Sequence, residues 1–542
     1  MSQLCYSSWL RRGLAQTASH SHALIETIPI AILERPLPLR SGIGVAQEKV
    51  TTSSPAAQAY YNQGLALLHS YVWIDAARSF NQARRLDPNC AMAYVGLSYA
   101  LTGIGASSGA QDANRQARML ASRVGDRERL RIALRAQQLE TIEQPENASS
   151  LAAYKKALDE GLQRYRSDPE LLLLRGHAED SAATGYGMTG TGNAVTFYEA
   201  ALAASPDYFA AHHYLTHAYE NANQIDRALQ HGEVYARLAP RVAHAHHMRA
   251  HDLRRVGRMS DAIAEFRRAN QLDLAYFKAD DIAADYDWNH HHNLDLLGTS
   301  HQYLGQISAA EEVLRRSFEM RALSLTEELN KRAWPLFLLA RGRTTEALGA
   351  ANELATHPMP LVRALGHIIA GRVMMTMKRM PEAGRETDAA LTELRTVGPA
   401  ANALTPDLRM LQGELFLRTG DRDKGRTMLR RAAAELRSDA DPDVWIQTLF
   451  SLEAIARAAR ETGDWPFASE VAEQMRLHDP SYPGTYLAVA LAAEQRGDVA
   501  SARSAYAEAV QRWREADAGF PEFEQARRRL TALSERSKPL QR

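Results

Sequence analysis

Apolar and polar positions follow a helical period along most of the chain. From Ala57, the residues Tyr60, Gly64, Leu67, Ala76, Phe80 and Ala83 precede Pro88, a spacing that predicts two antiparallel helices joined by a tight turn and ended by a proline. The phase returns at Ala228 with Pro240, at Ala262, Phe266 and Ala269, and at Ala310 after Gly305. Toward the C-terminus Gly342 precedes Ala347, Gly463 precedes Ala468 and Gly497 precedes Ala502. Small residues at these places let two helices approach closely, and aromatic residues fill the space between pairs. The phase is weak at Gly420 and Gly425, and residues 101–150 and 316–335 fit it poorly. No strand pattern of convincing length appears, so the predicted class is all-α.

Three segments follow from this period: an extended lead-in over residues 1–56 with Pro36, Pro38, Gly42 and Gly44, a repeat array over 57–515, and a charged capping helix and tail over 516–542. The spacing resembles the tetratricopeptide repeat family. The resemblance implies a right-handed superhelical solenoid of antiparallel helix pairs, whose concave groove, lined by first helices, binds a protein or peptide partner. In such an array each repeat touches only its neighbours, so a chain cut at Pro480 is expected to keep its remaining repeats folded.

Composition narrows the function classes. Lys plus Arg equals Asp plus Glu at 64 each, which leaves no global field for nucleic acid or an acidic membrane surface. Two cysteines, Cys5 and Cys90, exclude a disulfide framework and a thiolate metal cluster. No apolar run is long enough to span a membrane. The patch Ile25–Leu33, interrupted by Pro29, lacks the continuous apolar region of a secretory signal, so a cytoplasmic location is favoured over a periplasmic or secreted one. Gly185-Tyr186-Gly187-Met188-Thr189-Gly190 matches the glycine pattern of a dinucleotide loop, but no strand precedes it; it reads as an interhelix loop, and no organic cofactor is expected. No motif for serine or cysteine nucleophiles is present.

The chemistry concentrates in the histidines. Twelve of the 19 fall within the His-rich segment 209–301. His213 and His217 repeat as His247 and His251 one 34-residue period later. Four-residue spacing places both rings of a pair on one helix face, an arrangement that lets them share a metal ion. Glu220 extends the first pair and is the candidate catalytic carboxylate. Ala211, Leu215 and Ala218 lie about 200° around the helix from these residues, so the histidines are expected to face an exposed groove. His212 and His246 hold the packing phase. His292 and Asp295 on the third first-helix, with His244 at the matching second place of the preceding one, complete a candidate ligand set of His213, His217, His244, His247, His251, His292 and Asp295. Residues 277–290, with Asp280, Asp281, Asp285, Asp287 and Trp288, form an insertion expected to fold over the groove.

Residues 209–300 resemble a His-rich set of bacterial tetratricopeptide proteins, with segments reading roughly H-x3-H-x2-E, H-M-P-S-H and H-N-x-H. His213, His217 and Glu220 match the first segment, His247 and His251 the second, and His292 and Asn293 the third, with Asp295 replacing its last histidine. The resemblance adds a site and no reaction. Zinc, iron, manganese and copper are the candidate metals, and the aspartate makes soft copper(I) the least suited of them. Two functions remain: a scaffold binding a peptide or protein, with the His-rich site holding a transition metal, and a metal-dependent hydrolase or oxidoreductase built on His213, His217, His247 and His251.

Overall fold

A computed structural model describes residues 27–180, 186–438 and 441–536. Cys5 and Gly185 lie outside the described residues. Among those described, every regular element is helical, and successive helices pair as hairpins. The chain forms two compact units, residues 27–290 and 291–536, divided within helix Trp288–Tyr303.

The first hairpin shows how the sequence builds a repeat. Ser54 caps helix Pro55–Leu68 by accepting from the Ala57 amide at 3.2 Å, and Pro55 supplies a preset first-turn φ. Helix Trp73–Leu86 returns against it. Phe80 is fully buried between Gly64 and Gly96, and a Cβ built on either glycine would meet its ring at 2.7 and 2.3 Å. This is the aromatic plug expected from the spacing.

The turn inside most hairpins uses one left-handed residue. Gly463 and Gly497 supply it, both with φ +74°. In other hairpins the place is held by side chains that tolerate it less well, among them Tyr71 at φ +59° and Asn223 at +56°. The poorly fitting stretches are helical too: 101–150 contains longer helices, Asp126–Glu143 and the start of Ala148–Arg164, and 316–335 contains the short helix Leu325–Asn330 and the start of Ala333–Ala340.

The expectation that repeats touch only their neighbours fails in both units. In the first, residues of the first hairpin meet residues of the fifth and of the last: His69 Nδ1 lies 2.8 Å from Tyr214 Oη, and Arg78 pairs with Asp280 at 2.8 Å. The lead-in crosses the interior so formed. Arg35 donates to the Asp280 carbonyl at 2.6 Å, Arg40 pairs with Asp75 at 2.8 Å and Asp280 at 2.6 Å, and Gly42 accepts from the Arg241 amide at 2.9 Å. Further along, buried Glu48 pairs with Arg127 at 2.6 Å and Arg131 at 2.7 Å and accepts from Tyr61. The inserted segment is anchored by Asp280 and does not stand as a free flap over a groove. Helix Met259–Asp280 runs on into it, and Ala284–Tyr286 leads to Trp288 beside Tyr71.

In the second unit the C-terminal helices fold back. The Asp517 amide donates to the Gly305 carbonyl at 3.0 Å, Tyr303 donates to Asp479 at 2.7 Å, and Arg341 pairs with Glu522 on helix Pro521–Arg536 at 2.6 Å.

Candidate metal centre

His213 and His217 project from helix Phe209–Asn221, and His244 from the first turn of helix Ala243–Arg255. Their Nε2 atoms converge: His213 Nε2 lies 3.1 Å from that of His217 and 3.1 Å from that of His244. Tetrahedral ligation at roughly 2.0–2.1 Å requires nitrogens about 3.3 Å apart, so the three fit one transition ion. His213 and His244 are buried and His217 is half-buried.

On His213 and His244 the opposite ring nitrogen is committed. Nδ1 of His213 donates to the main-chain carbonyl of His69 at 2.6 Å, and Nδ1 of His244 faces Oδ1 of Asn289 at 2.8 Å. An acceptor on Nδ1 holds the proton there and leaves Nε2 as the lone-pair donor, the outer arrangement that metal-ligating histidines use. Burial, then the neighbouring His244 and His217, push the His213 imidazole well below its ordinary range, so it is neutral as a ligand must be.

His69 is fixed in turn. Its Nε2 lies 3.1 Å from Glu170, and against the cost of burial His69 and Arg131 hold the Glu170 carboxyl down to about 2. Tyr71 packs over the cluster, with ring centroids 4.5 Å from His213 and 5.1 Å from His244, and its hydroxyl donates to the Tyr186 carbonyl at 2.6 Å.

The remaining sequence candidates do not join this trio, although ring nitrogens of His247 and His251 lie within 4.8 Å of one another. His247 stacks on His244 with centroids 5.5 Å apart and touches His251 at 4.7 Å. His251 Nδ1 turns to Glu220 Oε1 at 3.2 Å, and against burial the His251 charge lowers the Glu220 carboxyl, while burial raises that of Asp252. Glu220 is thus a buried ion-pair partner. His292 and Asp295 belong to the second unit, where His292 Nε2 faces Asp443 at 3.2 Å and Asp295 accepts from Gln447 at 3.1 Å.

The exposed groove expected for these histidines is corrected by the structure. His213, His247 and His251 are 0%, 1% and 2% exposed, because the closed interior covers the face that points away from the repeat packing. Of the two packing-phase residues, His246 is half-buried and His212 is buried. His246 bonds Glu265 at 2.6 Å and the Pro240 carbonyl at 3.1 Å at the outer edge of its hairpin, and His212 similarly meets His231 at 2.9 Å. His69, Tyr71 and Asn289 were missed. Only Tyr71 carried a signal, since it holds the turn position that glycine takes in other hairpins.

The glycine-patterned segment ending at Gly190 lies between helices Pro169–His177 and Gly192–Ala204, with Gly187 at φ +80° and, among the described residues, no strand before it. Cys90 is free and buried, and burial pushes its thiol up to about 11.

Paired helices, aromatic plugs and repeating left-handed turns make this an all-α protein of tetratricopeptide-like repeat fold. No protein-family model matches the chain, and no curated protein sequence matches it. Among solved structures it is similar to a human IFIT1 dimer with PPP-AAAA, at 12% identity over 83% of this chain and 94% of that one, with a TM-score of 0.40. Yeast Tom70 is similar at 14% identity over 89% and 96%, TM-score 0.32, and a tetratricopeptide repeat protein from Parabacteroides merdae at 15% over 54% and 98%, TM-score 0.30. No helix among the described residues is long and apolar enough to cross a membrane.

Proposed function

We propose that the protein is a helical-repeat scaffold whose first unit is organised round a transition-metal ion held by His213, His217 and His244. The observation that carries this reading is the commitment of Nδ1 on His213 and His244 to oxygen acceptors, which turns their Nε2 lone pairs toward one another at 3.1 Å. Two such lone pairs repel unless a cation lies between them. An all-imidazole set suits zinc, copper or iron better than manganese. When bound, such an ion supplies Lewis acidity or redox chemistry. Elemental analysis of protein purified without a histidine tag is expected to find about one ion per chain, lost on His213→Ala or His244→Ala. A wild-type content below about a tenth of an equivalent overturns the reading.

The scaffold half of the proposal assigns a protein or peptide partner to surfaces other than the interior of the first unit. There, residues 35–51 already lie extended against the repeats, bonded from Arg35 through Thr51.

One observation favours a metal-dependent enzyme as second reading. His244, Tyr71, Asn289 and Asp287 line a cavity of about 70 Å³. Burial, then Asp273, push the Asp287 carboxyl up to about 7, where a side chain exchanges protons near neutrality. Hydrolysis of an activated ester by metal-loaded protein, lost on Asp287→Asn with metal retained, is the expected result; equal rates for both proteins overturn it.

A further inference from the structure

The second unit contains a cleft that none of this accounts for. Its cavity volume is about 120 Å³, and it opens to solvent at its mouth. Its walls are mostly apolar, with Leu336, Leu436 and Phe450 prominent, yet Arg372 and Arg457 also line it. These two come from different helices, Pro360–Thr376 and Trp445–Glu461.

The charge balance of this cleft is unusual. Three carboxylates also line it, and each is engaged: Asp407 lies 3.7 Å from Arg332, Glu435 pairs with Arg409 and with Arg431 at 3.1 Å, and Glu453 accepts from Tyr482 at 2.9 Å. Among the described residues, no carboxylate comes within ion-pairing distance of Arg372 or Arg457, and Arg372 Nε is buried with no hydrogen-bond partner. The two guanidiniums repel one another, and burial, only partly offset by Glu414 and Asp407, lowers the Arg372 pKa from its ordinary value. Two like charges held on an apolar wall are a cost that folding alone does not explain. An anion between them removes it, and guanidinium forks match a carboxylate in shape and charge.

We propose that this cleft binds a small amphipathic carboxylate, its headgroup between Arg372 and Arg457 and its apolar body against Leu336, Leu436 and Phe450. The inference does not depend on the metal reading, since it uses residues of the second unit alone.

Calorimetric titration of the full chain with octanoate and with octylamine tests it. Octanoate is expected to bind at about one per chain, and octylamine, of the same length and opposite charge, not to bind at about 1 mM. Arg372→Gln and Arg457→Gln are each expected to weaken octanoate at least about tenfold, and Arg457→Lys to weaken it less. The wild-type comparison of the two ligands needs no variant to fold. Ser451→Trp, which narrows the cleft without touching either arginine, is expected to abolish binding while circular dichroism and melting report an intact fold. Equal binding of octanoate and octylamine, no octanoate binding at about 1 mM, or an unchanged affinity in the double Gln variant overturns the proposal.

Discussion

His213 donates its Nδ1 proton to the main-chain carbonyl of His69, 144 residues earlier in the chain, at 2.6 Å. The bond ties a candidate ligand to the turn of the first hairpin, where Tyr71 is held at positive φ. Relaxing that turn should therefore be felt at the metal. Tyr71→Gly is expected to relieve backbone strain of about 1–3 kcal/mol but remove the ring that covers the cluster. Metal affinity is expected to fall about 10- to 100-fold with the three ligands intact, as for loss of an outer partner. Competition with a chromophoric chelator measures it, and unchanged affinity would show that Tyr71 only packs.

His251 and His246 are separated by five residues and are expected to differ in the sense opposite to their sequence phases. His251→Ala removes one buried hydrogen-bond partner of Glu220 and leaves Arg254 and Arg255 as its remaining neighbouring charges, a loss of about 1–3 kcal/mol. His246→Ala removes a half-buried contact to Glu265 and is expected to cost about 1 kcal/mol. Neither variant is expected to lower metal content. Urea unfolding and elemental analysis of both proteins check this, and loss of metal in His251→Ala at wild-type stability would restore the original register.

Acid should weaken the first unit before carboxylates protonate. Burial, then the neighbouring His69, depress the His177 pKa from 6.5 to about 3, so the folded state resists a proton that the unfolded chain accepts. The stability this group contributes is fully present above pH 6.5 and is lost as pH falls toward 3, at about 1.4 kcal/mol per pH unit per proton. His177→Leu is expected to flatten the melting-temperature profile between pH 6 and 4 by about one proton. Parallel profiles for both proteins would refute the assignment.

Gly44 has φ +86°, and a Cβ there would meet the Phe209 ring at 2.6 Å. Gly44→Val is expected to destabilise the first unit by about 2–4 kcal/mol through backbone strain and overpacking. Residues 33–52 should then show faster amide exchange than in wild type. Wild-type protection would mean that the lead-in tolerates a side chain at this point.

Cutting the chain at Pro480 is expected to disrupt the second unit. Trp513, Phe520 and Asp517 pack on Tyr303 and Gly305, so their removal uncovers apolar surface near the start of the unit. Limited proteolysis from residue 291 onward is the readout. A truncated chain that stays resistant and melts as wild type would favour independent repeats.

The hairpins were legible because local spacing encodes them: Gly64, Phe80 and Gly96 must interlock, and the period between them is visible in a single repeat. The closure of each unit was not. It depends on pairs such as Arg78 with Asp280, 202 residues apart, whose individual residues look like ordinary surface charges. The same distinction runs through the site. His213 and His217 announce themselves by i,i+4 spacing, and His244 by holding the place in its repeat that His292 holds in the next. His69 and Tyr71 reach them only through closure, which also buries the face that a regular array would leave open.

The extended segment inside the first unit also bears on the order in which that unit can be completed. Arg35 bonds to Asp280, 245 residues later, so the first part of this segment to leave the ribosome is among the last to find its seat. At about 5–20 residues per second, the intervening chain takes roughly 12–50 s to make. During that interval Arg40 is without Asp280, and Leu33, Ile43 and Val50 are without the later repeats of the core they join, so apolar surface faces water. A nascent chain stalled before residue 280 should therefore bind chaperones, and one released beyond residue 290 should not.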